Sequence, residues 1–390
     1  MPAITHEGIS KQVLLQINSL LSKEYSIKLI VLTKADKAIL VAFAPLLPSE
    51  DVVELKQEDP YLSVRALRLS LPVALKVRKH IRSKGPLVIF AHAPLAHFIM
   101  RLVMLLGFRG NNCKLWQYFH ITQYAEHPLN SWKRKLINIL NKRLANLFDY
   151  GHIFVSEAVK NDIQLHLIKL NNNRVIYNAL DSVENIELNT KHTRESERKL
   201  QGTQVFTILL PGRIEASKGQ LWFLDPLQKW IRLKQLKPEQ VQVLVVGEGS
   251  QKDRLSELVL TNGLLPYVTI TGLLPNKKVL KYMRQCDLVV IPSFVEGLPL
   301  VILEALQQRA IVLASDIKPN QEVISRQEIG HLFKTGDVAD CIDKLQFLFQ
   351  HRGQELVNSR AIETLLKTRF SFEVHMQRLI NVIEDSTSNG

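Results

Sequence analysis

A chain of 390 residues exceeds what one ordinary hydrophobic core organises and suits two domains of common size. Its 46% hydrophobic and 22% charged residues are a globular balance, which excludes a disordered or collagen-like chain. A formal net charge of +13 fits nucleic acid, an anionic membrane surface or a polyphosphate-bearing substrate as partner, and composition alone does not choose among them.

In chain order, the opening MPAITHEGIS has neither a basic n-region nor an apolar h-region, so no secretory signal is expected. Apolar runs stay short of a membrane span; the longest, Pro94 to Phe108, is interrupted by His97 and Arg101. Strand-like runs rich in β-branched and aromatic residues recur at 27–33, 86–92, 114–120, 150–156 and 174–180, each followed by a helix-length stretch. Leu95 to Leu106 reads as a core helix. The stretch 131–148, SWKRKLINILNKRLANLF, reads as a surface helix packing Leu136, Ile139, Leu140 and Leu144 on the core, or as an interfacial helix resting on anionic lipid. Residues 181–204 turn polar and mark a linker or exposed loop. The alternation restarts with strands at 205–212, 241–249, 267–272, 287–293 and 310–316. This pattern predicts an α/β chain of two doubly wound domains facing across a cleft, residues 1–180 and 205–370, with a last helix over 371–390 that crosses back to the first domain. Cys113, Cys286 and Cys341 show no metal or disulfide spacing and read as reduced thiols of a cytosolic protein.

The chemistry concentrates in PSFVEGLPLVILEAL, Pro292 to Leu306. A strand ends, a loop carries Glu296 and Gly297, and a helix begins near Pro299. Pro suits a first helical turn, whose amides and dipole favour phosphate. Glu304, one turn in, tilts back toward that end and suits a vicinal ribose diol. Acids beside a diphosphate need cations, and LLPGRIEASKGQ supplies Arg213 and Lys218 after another strand end. They suffice to stabilise a departing nucleoside diphosphate without a metal, and no Asp-x-Asp pair or His/Cys cluster is present to hold one. Gly247 to Gly249 lacks the third glycine of a dinucleotide fingerprint and reads as a tight turn.

These residues together resemble the GT-B glycosyltransferases and, within them, retaining family 4 (glycosyl transferases group 1). Glu296 and Glu304, with seven residues between them, match that family's paired glutamates, and Gly212, Arg213 and Lys218 match its G-R-x4-K element. The segments 243–255, 268–293 and 314–324 are similar to its intervening blocks, 155–163 and 175–181 to the end of its first domain, and 331–345 and 370–379 to its closing blocks. The match is strong from about residue 150 to 380 and weak before. The resemblance implies that Arg213 and Lys218 hold the donor diphosphate, Glu304 the ribose and Glu296 the sugar near the reacting carbon. It places Gly297, Leu298 and Leu300 at the phosphates and Thr271, Leu273 and Leu274 at the nucleobase. His120 in QYFHIT matches a strand-end histidine near the transferred sugar, and Gly8 in HEGIS a glycine loop beside the first helix. Two features depart from the pattern: only MPAITHE precedes Gly8, leaving little room for a first strand, and Arg309 stands where a small-residue turn is usual.

The implied function is retaining transfer of a sugar from a nucleoside-diphosphate donor to a glycan or lipid-linked acceptor. The implied setting is bacterial surface polysaccharide or lipopolysaccharide synthesis, in the cytoplasm or peripherally on the inner membrane face, with no cofactor, no metal and no nucleic acid. A nucleotide-sugar epimerase of the same fold and a non-catalytic basic binding protein are the alternatives. Taken singly, each of these residues has an ordinary structural reading, as a solvated charge, a hydrogen-bonded histidine or a turn glycine; their arrangement carries the argument.

Overall fold

In the computed structural model the described residues are 1–5, 8–56, 64–81, 85–107, 113–167, 172–180, 205–354 and 357–388, without the side chains of 64–69. The expected linker at 181–204 lies outside them. The chain divides into two compact units, Met1–Asp181 with Phe372–Gly390, and Ser182–Ser371.

The first unit runs α1 (Gly8–Leu21), β1 (Leu29–Val31), α2 (Lys37–Phe43), β2 (Val52–Glu54), α3 (Val64–His80), β3 (Leu87–His92), α4 (Pro94–Leu105), β4 (Cys113–Phe119), α5 (Gln123–Glu126), α6 (Trp132–Phe148), β5 (Gly151–Phe154), α7 (Glu157–His166) and β6 (Asn173–Val175). Its strands form two parallel sheets, β1–β2 and β3–β4–β5–β6. Extended backbone does precede α1: Ile4 bridges Ala35, and the amides of Leu32 and Thr33 donate to Met1 and Pro2. The strand expected over 174–180 ends at Val175, because the backbone of Ala179 leaves the sheet for the buried amide side chain of Gln12, which both donates to its carbonyl (2.6 Å) and accepts from its N–H (3.1 Å).

The second unit runs β7 (Phe206–Pro211), α8 (Gln220–Leu233), β8 (Val241–Val246), α9 (Lys252–Thr261), β9 (Val268–Gly272), α10 (Asn276–Gln285), β10 (Leu288–Ile291), α11 (Leu300–Gln307), β11 (Val312–Ser315), α12 (Lys318–Val323), β12 (His331–Phe333), α13 (Val338–Gln350) and α14 (Ser359–Arg369). All six strands are parallel in the order β12-β11-β10-β7-β8-β9. The near-continuous apolar β10 and β11 are buried on both faces and β7 and β8 largely so, as a helix-covered parallel sheet requires. The three-residue strands β2 and β12 are too short for a period-two signal and escaped the sequence reading. Cys286 and Cys341 are buried and Cys113 half-buried, all three as free thiols.

The last helix, α15 (Phe372–Ser388), belongs to the first unit. His375 donates from Nδ1 to the Tyr177 carbonyl (2.6 Å) and accepts at Nε2 from Gln16 (2.8 Å), while Trp116 donates to Ser386 (2.9 Å). On α4, His97 is buried with its Nε2 at the carbonyls of Ala91 and Tyr118. Burial holds the His97 ring down to about 3, with the Arg101 charge adding to it, and burial brings His375 to about 4 against the opposing pull of the Tyr177 carbonyl. Both rings stay neutral in the fold, whereas an unfolded histidine takes a proton below about pH 6.5. They cost nothing above that value. As pH falls toward the folded values the unfolded chain binds more protons, and stability drops by about 1.4 kcal/mol per pH unit for each ring. Melting followed by calorimetry from about pH 7 to about 4.5 is expected to show the first unit's transition falling steeply.

Helix α6 corrects one expectation. Leu144 is buried, but Leu136, Ile139 and Leu140 face outward at 58%, 53% and 48% exposure. The inward face is instead Asn141, Leu144 and Ala145. Its orientation follows from the fully buried Arg101, whose guanidinium donates to Asn141 Oδ1 and to both oxygens of Asp149, just past the helix end. A buried guanidinium without acceptors costs far more than a few exposed leucines, so the polar partner wins the inner face.

Candidate active site

The site forms where the strand order of the second unit's six-stranded sheet reverses direction. From β7 the chain builds outward through β8 and β9, then returns to the other side of β7 with β10. The loops after β7 and β10 therefore meet at the carboxyl edge, the topological switch point where doubly wound sheets bind ligands. Lys218 comes from the first loop and Glu296 from the second. Their side chains touch, Nζ to Oε1 at 2.7 Å, with Lys218 partly open and Glu296 buried. Ser293 donates to the same Glu296 oxygen at 2.8 Å. Buried among two donors, the carboxylate has its charge compensated and its position determined.

Backbone contacts hold the two loops together. The amides of Phe294 and Val295 both donate to the Ser217 carbonyl, at 2.8 and 3.2 Å. Gly219, at φ +72°, lies so close to Pro292 that a β-carbon there would stand 1.9 Å from its carbonyl oxygen. Glycine is required by both conformation and space. The turn at 247–249 is similar: a β-carbon on Gly247 would meet the Gly212 carbonyl oxygen at 1.9 Å. Gln220 closes the Arg213 loop by donating to the Arg213 carbonyl (2.9 Å), and Glu215 clamps the loop after β8 through the amide and hydroxyl of Ser250. Those two Ser250 bonds lower the Glu215 carboxyl.

Helix α11 starts one residue later than the sequence suggested, with Pro299 as its N-cap in extended conformation. Gly297 and Leu298 are buried ahead of it, Leu300 opens it, and Glu304 is half-buried in its second turn. The first amides of a helix find no carbonyl within it, so this end faces the site with donors and a positive dipole. Arg309, the departure noted above, adopts φ +58° and ends the helix. Its amide donates to Leu306 and that of Ala310 to Ala305, the paired bonds of a left-handed C-terminal cap. The substitution thus shapes the helix end, away from the loop that carries Glu296. Thr271 is the last residue but one of β9, and Leu273 and Leu274 follow it at the same sheet edge, Leu273 exposed. Among the described residues, no three His, Cys, Asp or Glu side chains are grouped as a metal site requires.

The second unit thus brings Lys218 and Glu296 into contact, with Arg213 on the loop after β7, Glu304 in the second turn of α11 and Thr271–Leu274 at and just past the end of β9. His120 and Gly8 belong to the first unit. Gly8 is the first residue of α1, and His6 and Glu7, part of the glycine loop expected there, lie outside the described residues. His120 follows β4, stacked on Tyr118 with rings 4.7 Å apart, and its Nε2 meets Nδ1 of His92, at the end of β3, at 2.9 Å. Its Nδ1 is buried with no partner in the described structure. Burial, reinforced by His375, holds the His120 ring at about 3, and burial with the neighbouring His120 also lowers His92. Both rings are neutral, so one donates to the other. The next residue, Ala93, sits at φ +72° and ψ 156°, a region natural only to glycine, so the turn beside the pair is strained. Sequence reasoning missed His92 and Ser293. His92 carries the same signal as His120, a histidine at a strand's carboxyl end; Ser293 had none beyond its place before the loop.

Two α/β units, one with the 3-2-1-4-5-6 strand order and a cationic loop at its switch point, define a GT-B-type architecture. Residues 8–184 match Glycosyltransferase Family 4 and residues 205–351 match Glycosyl transferases group 1. The chain belongs to the group 1 glycosyltransferases of GT-B fold. It is 25% identical over 274 residues to an uncharacterized glycosyltransferase of Methanocaldococcus jannaschii, covering 69% of this chain and 63% of that one. It is 27% identical over 266 residues to the capsular polysaccharide biosynthesis glycosyltransferase CapH of Staphylococcus aureus, covering 67% and 68%. The chain thus spans about two thirds of the length of these curated relatives. Its fold matches the crystal structure of Anabaena HepE in complex with UDP and glucose, with a TM-score of 0.72 at 18% identity over 98% of this chain and 99% of that one.

Proposed function

We propose that this protein transfers a sugar, with retention, from a nucleoside-diphosphate donor to a glycan or lipid-linked acceptor. The observation that carries the reading is the Lys218–Glu296 contact at the switch point, ahead of the amide-rich start of α11. In this reading Lys218 and Arg213 neutralise the leaving diphosphate, while Glu296 binds the sugar and Glu304 the ribose. Gly297, Leu298 and Leu300 present backbone to the phosphates, and Thr271, Leu273 and Leu274 face the base. His120 serves the transferred sugar through its unpartnered Nδ1, and Gly8 lets substrate approach α1. Charge compensation is assigned to these cations and amides, so no metal or other cofactor is required. HepE binds UDP and CapH serves capsular polysaccharide biosynthesis, which favours a UDP-sugar and a surface-polysaccharide or lipopolysaccharide pathway. We place the protein in the cytoplasm, at the inner membrane face where the acceptor is lipid-linked.

A thermal-shift screen with uridine-, guanosine- and adenosine-diphosphate sugars tests the donor. A ligand at about 100 times its Kd adds about 2.7 kcal/mol, a shift of several degrees. Sugars of one base are expected to produce it in EDTA, and Arg213→Ala to abolish it. No shift with any donor would sink the reading. Incubating the bound donor without acceptor separates transfer from epimerisation, since only an epimerase then converts it.

A further inference from the structure

Helix α6 has two faces that its sequence does not distinguish by period. Positions 137, 141, 144, 145 and 148 share the inner face, and positions 132, 136, 139, 140, 143 and 147 share the outer one at helical spacing. The outer face carries five large apolar side chains, the inner face three, Ile137, Leu144 and Phe148. Trp132 and Leu147 are 70% and 71% exposed, and Leu136, Ile139 and Leu140 stand between them, each about half open or more. A stripe of five large apolar side chains on a surface helix, interrupted by Arg143, marks a contact surface.

Charge names its occupant. Lys135 and Lys142 flank one side of the stripe, Lys133 the other and Arg143 lies within it, all exposed, while Trp132 to Phe148 contains no acid. Lys133 rests over the Trp132 ring at 5.7 Å, its stem along the apolar surface and its charge at the edge. The neighbouring helices extend the pattern. α4 packs on α6 and α3 packs on α4, and neither contains an acid. α3 adds exposed Leu71 and Leu75 beside exposed Lys76, Arg78 and Lys79. An apolar ridge flanked by the cations of its own helix, which has no acid, fits the plane where acyl chains meet anionic headgroups. Nucleic acid would use the cations but leave the leucine stripe in water.

We infer that the outer face of α6 docks the protein on an anionic lipid surface, Trp132, Leu136, Ile139, Leu140 and Leu147 entering the interface and the flanking lysines meeting the headgroups. The inference rests on the membrane setting of the proposed function and is independent of the donor assignment. Flotation of the full chain with vesicles of phosphatidylcholine, alone or mixed with phosphatidylglycerol, tests it. Binding to the mixed vesicles only is expected, weakening with salt. Leu136→Asp with Ile139→Asp is expected to abolish it, and Lys135→Ala with Lys142→Ala to weaken it about 30-fold. These positions are exposed, so the melting temperature and any shift with UDP-glucose should stay as in the parent. Failure of the parent to float, equal binding to neutral vesicles, or full binding by the aspartate variant overturns the inference. So does a lipid-free dimer that the aspartate variant disperses, which assigns the face to a second copy. Flotation without any donor shift would remove the donor assignment and leave the docking face standing.

Discussion

Lys218→Met is expected to lower donor turnover by about 10²–10³-fold, the scale on which a preorganised donor to a developing charge acts. The ammonium lies 2.7 Å from Glu296 and is the more open of the two, so it is placed to share itself with an incoming diphosphate. Glu296→Gln should keep the contact geometry while removing the charge, and should lose turnover on a similar scale. Because the side chains touch, the double variant is expected to lose much less than the product of the single losses. Release of nucleoside diphosphate, resolved into kcat and KM, is the measurement. A purely structural ion pair would instead lower the melting temperature and leave turnover per folded molecule unchanged.

The second large effect lies in the first unit. Arg101→Met is expected to cost about 3–5 kcal/mol, the scale for removing one partner of a buried ion pair. Both Arg101 and Asp149 are fully buried, and Asp149 also accepts from Gln117 at 2.8 Å and His152 at 3.0 Å. Burial alone would push the Asp149 carboxyl up, but Arg101 and the His152 bond outweigh it and bring it to about 2. Without the guanidinium that charge is left in a dry interior and Asn141 loses the donor that turns α6 inward. Arg101→Met combined with Asp149→Leu should recover part of the loss, since no lone charge remains. Urea titration followed by circular dichroism reads both, and only the first unit's transition should move.

Much of the site was legible because its signals are local. A strand end followed by a cation, or by an acid and a helix start, is visible wherever the apolar period changes, so Arg213, Lys218, Glu296 and Glu304 stood out. That Lys218 and Glu296 touch was not legible: 78 positions separate them, and only the reversal of strand order lays β10 beside β7. His92 was overlooked for the same reason, its partner His120 being brought beside it by the pairing of β3 with β4, whereas Ser293 meets Glu296 only three residues on and had no signal of its own.

Local pattern was enough for the alternation of strands and helices, the parallel class of the sheets and the residue types at the strand ends. These follow from hydrophobic period and backbone stereochemistry, which act over a few residues. Tertiary structure alone decided which loops meet, which polar groups share a proton and which face of α6 turns inward. For α6 both faces have helical period, and the tie was broken by a buried arginine about 40 residues away. Burial energy per leucine is small beside the cost of an unpaired guanidinium, so the face carrying Asn141 went in and the leucine stripe was left for the surface.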